Sequence, residues 1–216
     1  DSSGKLFAAG ADLRVGEESS LELYGAETVG IVTVDPATAS ERSPGNLRVY
    51  GAMTAASVSN SGLLNIDAGT DILGTTDGSG GMLKTAGALN VTNTLSNSAG
   101  ARVVQNAEVA ASTKIINDGN WQIAGDNELR ITNTATGATD AGLVGDGVFC
   151  LETEGDDANA CGGTSEAAAA TTLTLNQAGD STFDGVFAGL GALDKTGDGT
   201  LTLTDAQTFV GGLTVS

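Results

Sequence analysis

Short apolar runs, each closed by Gly, Asn, Asp, Ser or Thr, recur along the whole chain, and this recurrence constrains the fold more than any other feature. The runs lie at 21–24, 30–34, 46–50, 63–66, 88–92, 101–104, 114–116, 121–123, 128–132, 147–151, 172–175 and 200–204. Most alternate apolar with polar residues, the period of a strand that buries one face. No window of about 11 or more residues carries a 3.6-residue period. The stretch Ala167 to Ala170 is short and lies near Gly162-Gly163, so it reads as loop.

The turns between runs repeat as well. Asn60-Ser-Gly62, Asn97-Ser-Ala-Gly100 and Asn117-Asp-Gly119 look like one turn reused. Asn and Gly tolerate the positive φ that sharp turns need. The spacing suits a repeat of roughly 18 to 22 residues, the period of stacked solenoid coils. An antiparallel sandwich competes, but it would show aromatic anchors and hairpin turns every 8 to 12 residues or so. Aromatic residues make up only 4% of this chain. A core of thin Val, Ile, Leu and Ala layers manages without them. The expected fold is therefore all-β, a parallel β-helix with loop excursions. About ten coils at a strand spacing of about 4.8 Å would make one continuous rod of roughly 45 to 50 Å. Asn and Thr at the turns are expected to ladder along its axis.

Two segments interrupt the repeat. Residues 35–46 hold both prolines, Pro36 and Pro44, and proline cannot donate into a ladder. Residues 152–171 begin acidic, with Glu152, Glu154, Asp156 and Asp157, and continue small and Ala-rich. Excursions from a regular scaffold are where specific binding concentrates. The acidic group is the first candidate binding loop, suited to a basic partner, and 35–46 is the second.

Composition narrows the chemistry. There are 27 acidic against 9 basic residues, a formal net charge of −18. That balance argues against nucleic-acid backbones and against anionic lipid, both of which need clustered cations. With no histidine, neither a Ser-His-Asp nor a Cys-His set can be assembled. Carboxylate pairs can hydrolyse glycosides. Yet the nine cations are dispersed along the sequence, and sugar-stacking aromatics are few. No catalytic residue, cofactor or metal site is assigned. Oxygens between Glu152 and Asp157 suit Ca²⁺, although no glycine-and-aspartate nonapeptide accompanies them. No apolar run approaches the roughly 18 residues that span a bilayer. The start at Asp1 and the strand-like end from Gly211 to Ser216 suggest a piece of a longer protein.

The last quarter of the chain is the most distinctive. The stretch Leu193-Asp-Lys195-Thr-Gly197-Asp-Gly199-Thr-Leu201-Thr-Leu203 is followed by Gln207-Thr-Phe209-Val-Gly211-Gly212-Leu-Thr-Val215. It closely resembles the autotransporter-associated β-strand repeat, with Gln207 for the usual Asn and Phe209 for the usual Tyr. The segment 181–189 looks like the lead-in common before that repeat. The match covers about 35 residues; the rest of the chain resembles passenger sequence in texture. The resemblance implies a right-handed parallel β-helix from a type V secretion passenger, exported through the outer membrane by a C-terminal β-barrel. Residues 1–180 and 181–216 would form one rod, with the repeat in the latter. Lys195, Gly197, Gly199, Leu201, Leu203, Phe209, Gly211 and Gly212 would be structural.

In an exported protein, Cys150 and Cys161 are expected to form a disulfide across the acidic excursion. Free thiols or a redox or metal role fit less well, the spacing not being Cys-x-x-Cys. The expected function is that of a surface adhesin, binding a host surface, a matrix component or the same protein on sister cells. A non-binding stalk that displays a distal domain is the alternative, and a polysaccharide-active enzyme a weaker one. Neither nucleic acid nor membrane insertion is expected of this segment.

Overall fold

The computed structural model describes residues 10–38, 42–67, 70–72, 76–77, 81–134, 141–153 and 169–216, with 70–72 and 76–77 described by their backbone alone. These residues form 25 strands and no helix. All strand pairings among them are parallel, apart from one isolated antiparallel bridge between Glu152 and Ala170. The fold is all-β and consistent with a parallel β-helix.

The strands fall into three ladders. The first is a nine-stranded sheet through Ser20–Leu23, Asn46–Val49, Leu63–Ile66, Met82–Thr85, Arg102–Gln105, Asn120–Ile123, Val148–Cys150, Val186–Gly189 and Thr208–Phe209. The second runs through Thr70–Ile72, Leu89–Val91, Val109–Ala111, Asn127–Ile131, Thr172–Gln177, Ala192–Thr196 and Leu213–Val215. The third runs through Thr76–Asp77, Thr94–Asn97, Lys114–Asn117 and Gly142–Val144, beyond which lie the paired strands Ser181–Phe183 and Leu201–Leu203. The second and third ladders merge at Met53–Asn60. Its first residues pair with Thr70–Ile72 and its last with Thr76–Asp77. Preceding it, Glu27–Val34 pairs along almost its whole length, and Leu13–Val15 pairs with the end of that strand.

Register keeps the expected period. Leu89 lies opposite Val109 and Val109 opposite Leu129, steps of 20 residues. Leu175, Lys195 and Val215 follow the same step. In the first ladder, Leu47, Leu64, Leu83, Val103, Trp121, Phe149 and Phe187 stand in one inward column, all 6% exposed or less. Each such side chain removed from water contributes about 1.5 to 3 kcal/mol before ordering costs.

The core departs from the expected thin aliphatic layers in one place. Aliphatic layers hold from Leu13 to Ile115, but Trp121, Phe149, Phe183 and Phe187 form a buried aromatic block. Ring centroids lie 5.3 Å apart for Trp121–Phe149 and 5.1 Å for Phe149–Phe187, both stacked, with Phe183 edge-on to Phe149 at 5.6 Å. The chain has five Phe and one Trp, so its low aromatic content is a local concentration rather than a uniform scarcity. A buried indole needs an acceptor: Trp121 Nε1 donates to Gln105 Oε1 at 2.9 Å.

The recurring asparagine turns point inward. Asn60, Asn97 and Asn117 are at most 1% exposed. Asn97 Nδ2 donates to Asn117 Oδ1 at 2.7 Å and to the Asn120 carbonyl at 3.1 Å. Asn60 and Asn117 donate likewise to the carbonyls of Met82 and Val148. Each carboxamide satisfies a backbone acceptor one repeat ahead, where an unpaired acceptor would cost about 1 to 3 kcal/mol.

Candidate functional site

The repeat-motif residues stitch backbone to backbone. Lys195 stands in the inward column after Leu129 and Leu175 and is 6% exposed. Its ammonium donates to the carbonyls of Thr196 at 2.6 Å, Gly197 at 3.1 Å and Gln177 at 3.5 Å. Burial holds its pKa below the ordinary lysine value, opposed by the nearby Asp198 carboxylate. Gly197 has φ +81°, and a Cβ there would meet the Gln177 carbonyl oxygen at 2.6 Å. The Gly199 amide donates to Gln177 O at 3.0 Å and that of Gly211 to Gly191 O at 2.9 Å. Leu201, Leu203 and Phe209 are half-buried against the core. Around Gly212 there is open space, so crowding does not demand glycine there, in contrast to Gly211, where an added Cβ would clash with the Gly191 backbone. Gln207, the departure from the repeat, accepts from the Phe187 amide at 2.7 Å and donates to Asp205 O at 2.7 Å.

The acidic excursion is described only at its neck. Glu154, Asp156, Asp157 and Cys161 lie outside the described residues. Cys150 is fully buried and disulfide-bonded, in a chain with two cysteines. Glu152, expected among displayed carboxylates, is instead 2% exposed. Its Oε2 accepts from the Leu190 amide at 3.2 Å, and its carbonyl accepts from the Gln122 side-chain amide. The cause is position. Glu152 follows closely on the buried end of the first-ladder strand Val148–Cys150. Thr153 N donates to Ala169 O, and Ala169 N to Thr153 Oγ1, both at 2.8 Å, closing the neck. Among the described residues, no three carboxylate or cysteine side chains converge as a metal-binding group.

The proline excursion instead walls a cleft. Its volume is 620 Å³, between Pro36, Ala37 and Pro44 on one side and the outer face of the first ladder on the other. Leu63, Asn65, Met82, Lys84 and Arg102 form that face, edged by Ser61, Gly62, Gly81 and Gly100. A second cleft of 390 Å³ continues past Asn65 and Lys84 to Arg48, Asp67, Val104 and Asn106. Arg48, Asn65 and Lys84 stand directly opposite one another in successive strands. Three of the nine cations, Arg48, Lys84 and Arg102, thus come onto one face. Arg48 is paired to Asp67 at 2.6 Å and lies 4.7 Å over the Tyr50 ring, which stacks on Tyr24 at 4.6 Å. The signal available in sequence was the spacing of 48, 65 and 84, near multiples of the repeat, with Arg102 beside that column, opposite Met82.

Comparison with family models, with curated proteins and with solved structures finds no match for this chain.

Proposed function

We propose that this chain is a surface-exposed segment of a bacterial autotransporter passenger, a right-handed parallel β-helix rod that acts as an adhesin. The observation that carries the reading is the parallel, 20-residue stacking of repeats around one apolar core. Such a rod needs no helix, cofactor or second layer, and it offers its whole outer face and its excursions for display. The residues shared with the autotransporter-associated repeat support the same reading through their backbone contacts at Lys195, Gly197 and Gly211. A β-barrel following in the full-length protein would carry the rod across the outer membrane. The partner is a host surface, a matrix component or the same protein on sister cells.

Beads coated with the chain test the adhesin reading. Beads carrying the whole chain are expected to bind host cells, matrix or each other. Versions in which 35–46 or 152–171 is replaced by a short Gly/Ser turn should keep their β circular dichroism and lose part of that binding. Beads that bind nothing would leave the rod as a spacer for a distal domain.

A further inference from the structure

We propose that the Asp35–Pro36 peptide bond is a self-cleavage site, at which the Asp35 carboxylate cuts its own main chain in acid and opens the proline excursion at its entry. The inference goes beyond the adhesin reading and does not rest on it. The dipeptide itself supplies the reacting groups. Of the two prolines, Pro36 follows an aspartate and Pro44 a serine. An aspartate carboxylate can close a small ring on its own carbonyl carbon, and a nucleophile held so near its target has a large effective concentration. Proline offers a nitrogen without an N–H, which departs as a secondary amine.

The fold adds what the dipeptide lacks. Asp35 follows directly on the strand Glu27–Val34, and its amide donates to Val15 O at 3.0 Å. Its carbonyl oxygen, the atom that gains charge when the carbon is attacked, accepts from the buried Gly45 amide at 2.9 Å. That N–H comes from the far end of the excursion, so only the folded chain brings it to the bond. One preorganised donor to such an oxygen is worth about a hundredfold or more in rate. Gly62 leaves room beside the same oxygen, where a Cβ would stand 2.6 Å away. Arg14 Nε donates to Asp35 Oδ2 at 2.8 Å and so orients the carboxylate, with Oδ1 as the attacking atom. Pro36 is exposed and lines the cleft, where solvent supplies a proton and a water. The other charged groups placed around the excursion are Glu17 and Arg42, paired with each other at 2.6 Å, and Lys84 and Arg102 across the cleft. In the reaction, Oδ1 bonds to the Asp35 carbonyl carbon, the bond from that carbon to the Pro36 nitrogen breaks, and solvent protonates the nitrogen. The cyclic anhydride left on Asp35 takes up one water and opens to two carboxyl groups. The sum is hydrolysis of one peptide bond.

The test incubates the whole chain without protease, at a series of pH values down to the lowest at which its circular dichroism is native. Incubation runs far longer than a brief digestion. Intact-mass spectrometry should find fragments 1–35 and 36–216, their masses summing to the parent plus one water. The rate should rise as pH falls, because the departing nitrogen takes its proton from solvent, and should not depend on chain concentration. In urea at the same pH, where Gly45 no longer reaches Asp35, cleavage should be at least about tenfold slower. Asp35→Asn, which removes the nucleophile, should slow it at least as much with circular dichroism unchanged. A chain that stays whole, or is cut at another bond, overturns the proposal. So does a rate that climbs with chain concentration, which marks cutting of one molecule by another. Cleavage in urea as fast as in the folded chain leaves only the ordinary acid lability of the dipeptide and overturns the part given to the fold. A folded Asp35→Asn cut at the wild-type rate overturns the part given to the carboxylate. If that variant does not fold, Arg14→Gln stands in. It frees the carboxylate from its orienting partner, and an unchanged rate there overturns the geometry equally.

Discussion

The two segments that interrupt the repeat join the same parallel stack of strands and are fastened to it by different physics. The proline excursion is held from outside. Glu17 accepts from Thr38 N at 3.1 Å, Thr38 Oγ1 at 2.6 Å and Arg42 at 2.6 Å, while Asp35 accepts from Arg14 at 2.8 Å. The Arg14 and Arg42 side chains are 75% and 48% exposed, so solvent screens both pairs. The acidic excursion is held from inside. Cys150, Leu151, Glu152 and Thr171 are all at most 4% exposed, and Thr171 Oγ1 reaches the Ile123 carbonyl at 3.0 Å. One neck is a polar clasp that water can replace. The other is part of the core, so breaking it leaves buried groups unsatisfied.

The largest effect is expected at the disulfide. Replacing Cys150 and Cys161 together by alanine should lower stability by about 2 to 3 kcal/mol, the entropy released to the unfolded chain by opening a loop of this length. Urea denaturation measures it. Mass spectrometry of an unreduced digest should first recover the linked peptides, and two alkylatable thiols in the exported protein would remove the premise. Next comes Glu152→Ala, which removes a buried carboxylate and the hydrogen bond it accepts from the Leu190 amide, and should lose about 1.5 to 3 kcal/mol, the worth of a hydrogen bond to a charged group. Glu152→Gln keeps an acceptor oxygen and should recover most of that loss. Equal losses in both variants would mean that the carboxylate charge, rather than the hydrogen bond, secures the inner neck.

On the outer neck, Glu17→Ala should leave the global denaturation midpoint where it is. Its effect should be local, as faster amide exchange at Thr38, whose N–H loses its acceptor. A global shift as large as that of Glu152→Ala would erase the distinction between the two necks.

The sequence pattern was most legible where side chains alternate strictly. The runs around Leu47, Leu64, Ile131 and Leu175 follow the expected strands, because a bulky residue at every second position has only one face to bury. Strands such as Met53–Asn60, Val109–Ala111 and Gly142–Val144 escaped that reading. Their inward residues include Ala55, Ala111 and Asn60, too small or too polar to register as apolar alternation. Asn60, Asn97 and Asn117 were legible as turns but not as buried groups, since a carboxamide looks the same in sequence whether it faces water or a carbonyl. Glu152 misled for a related reason. A run of acids reads as solvated surface, and nothing local marks the one that the strand end pulls inside. The cleft was hidden because Pro36, Asn65, Lys84 and Arg102 become neighbours only once the register is known.

Acid should separate the necks most finely. Hydrogen bonds from Thr38, with a further contribution from Arg42, hold the Glu17 pKa below the ordinary carboxylate value. A carboxylate whose folded pKa lies below its unfolded one contributes stability above the unfolded value. That contribution is lost as pH falls through the depressed folded one. Near neutral pH the clasp is therefore complete, and below the usual carboxylate range it releases as Glu17 takes up a proton. Apart from the Glu152 carboxylate, the inner neck is held by groups without an acid, among them Thr153, Ala169, Thr171 and the Ile123 carbonyl, together with the disulfide at Cys150. Brief digestion with an acid-active protease should accordingly cut 35–46 earlier as pH is lowered, with the circular dichroism of the chain unchanged. In Glu17→Gln, which cannot titrate, the pH dependence of that cutting should flatten. If the wild-type and Glu17→Gln profiles superimpose, the clasp is not what closes the outer neck.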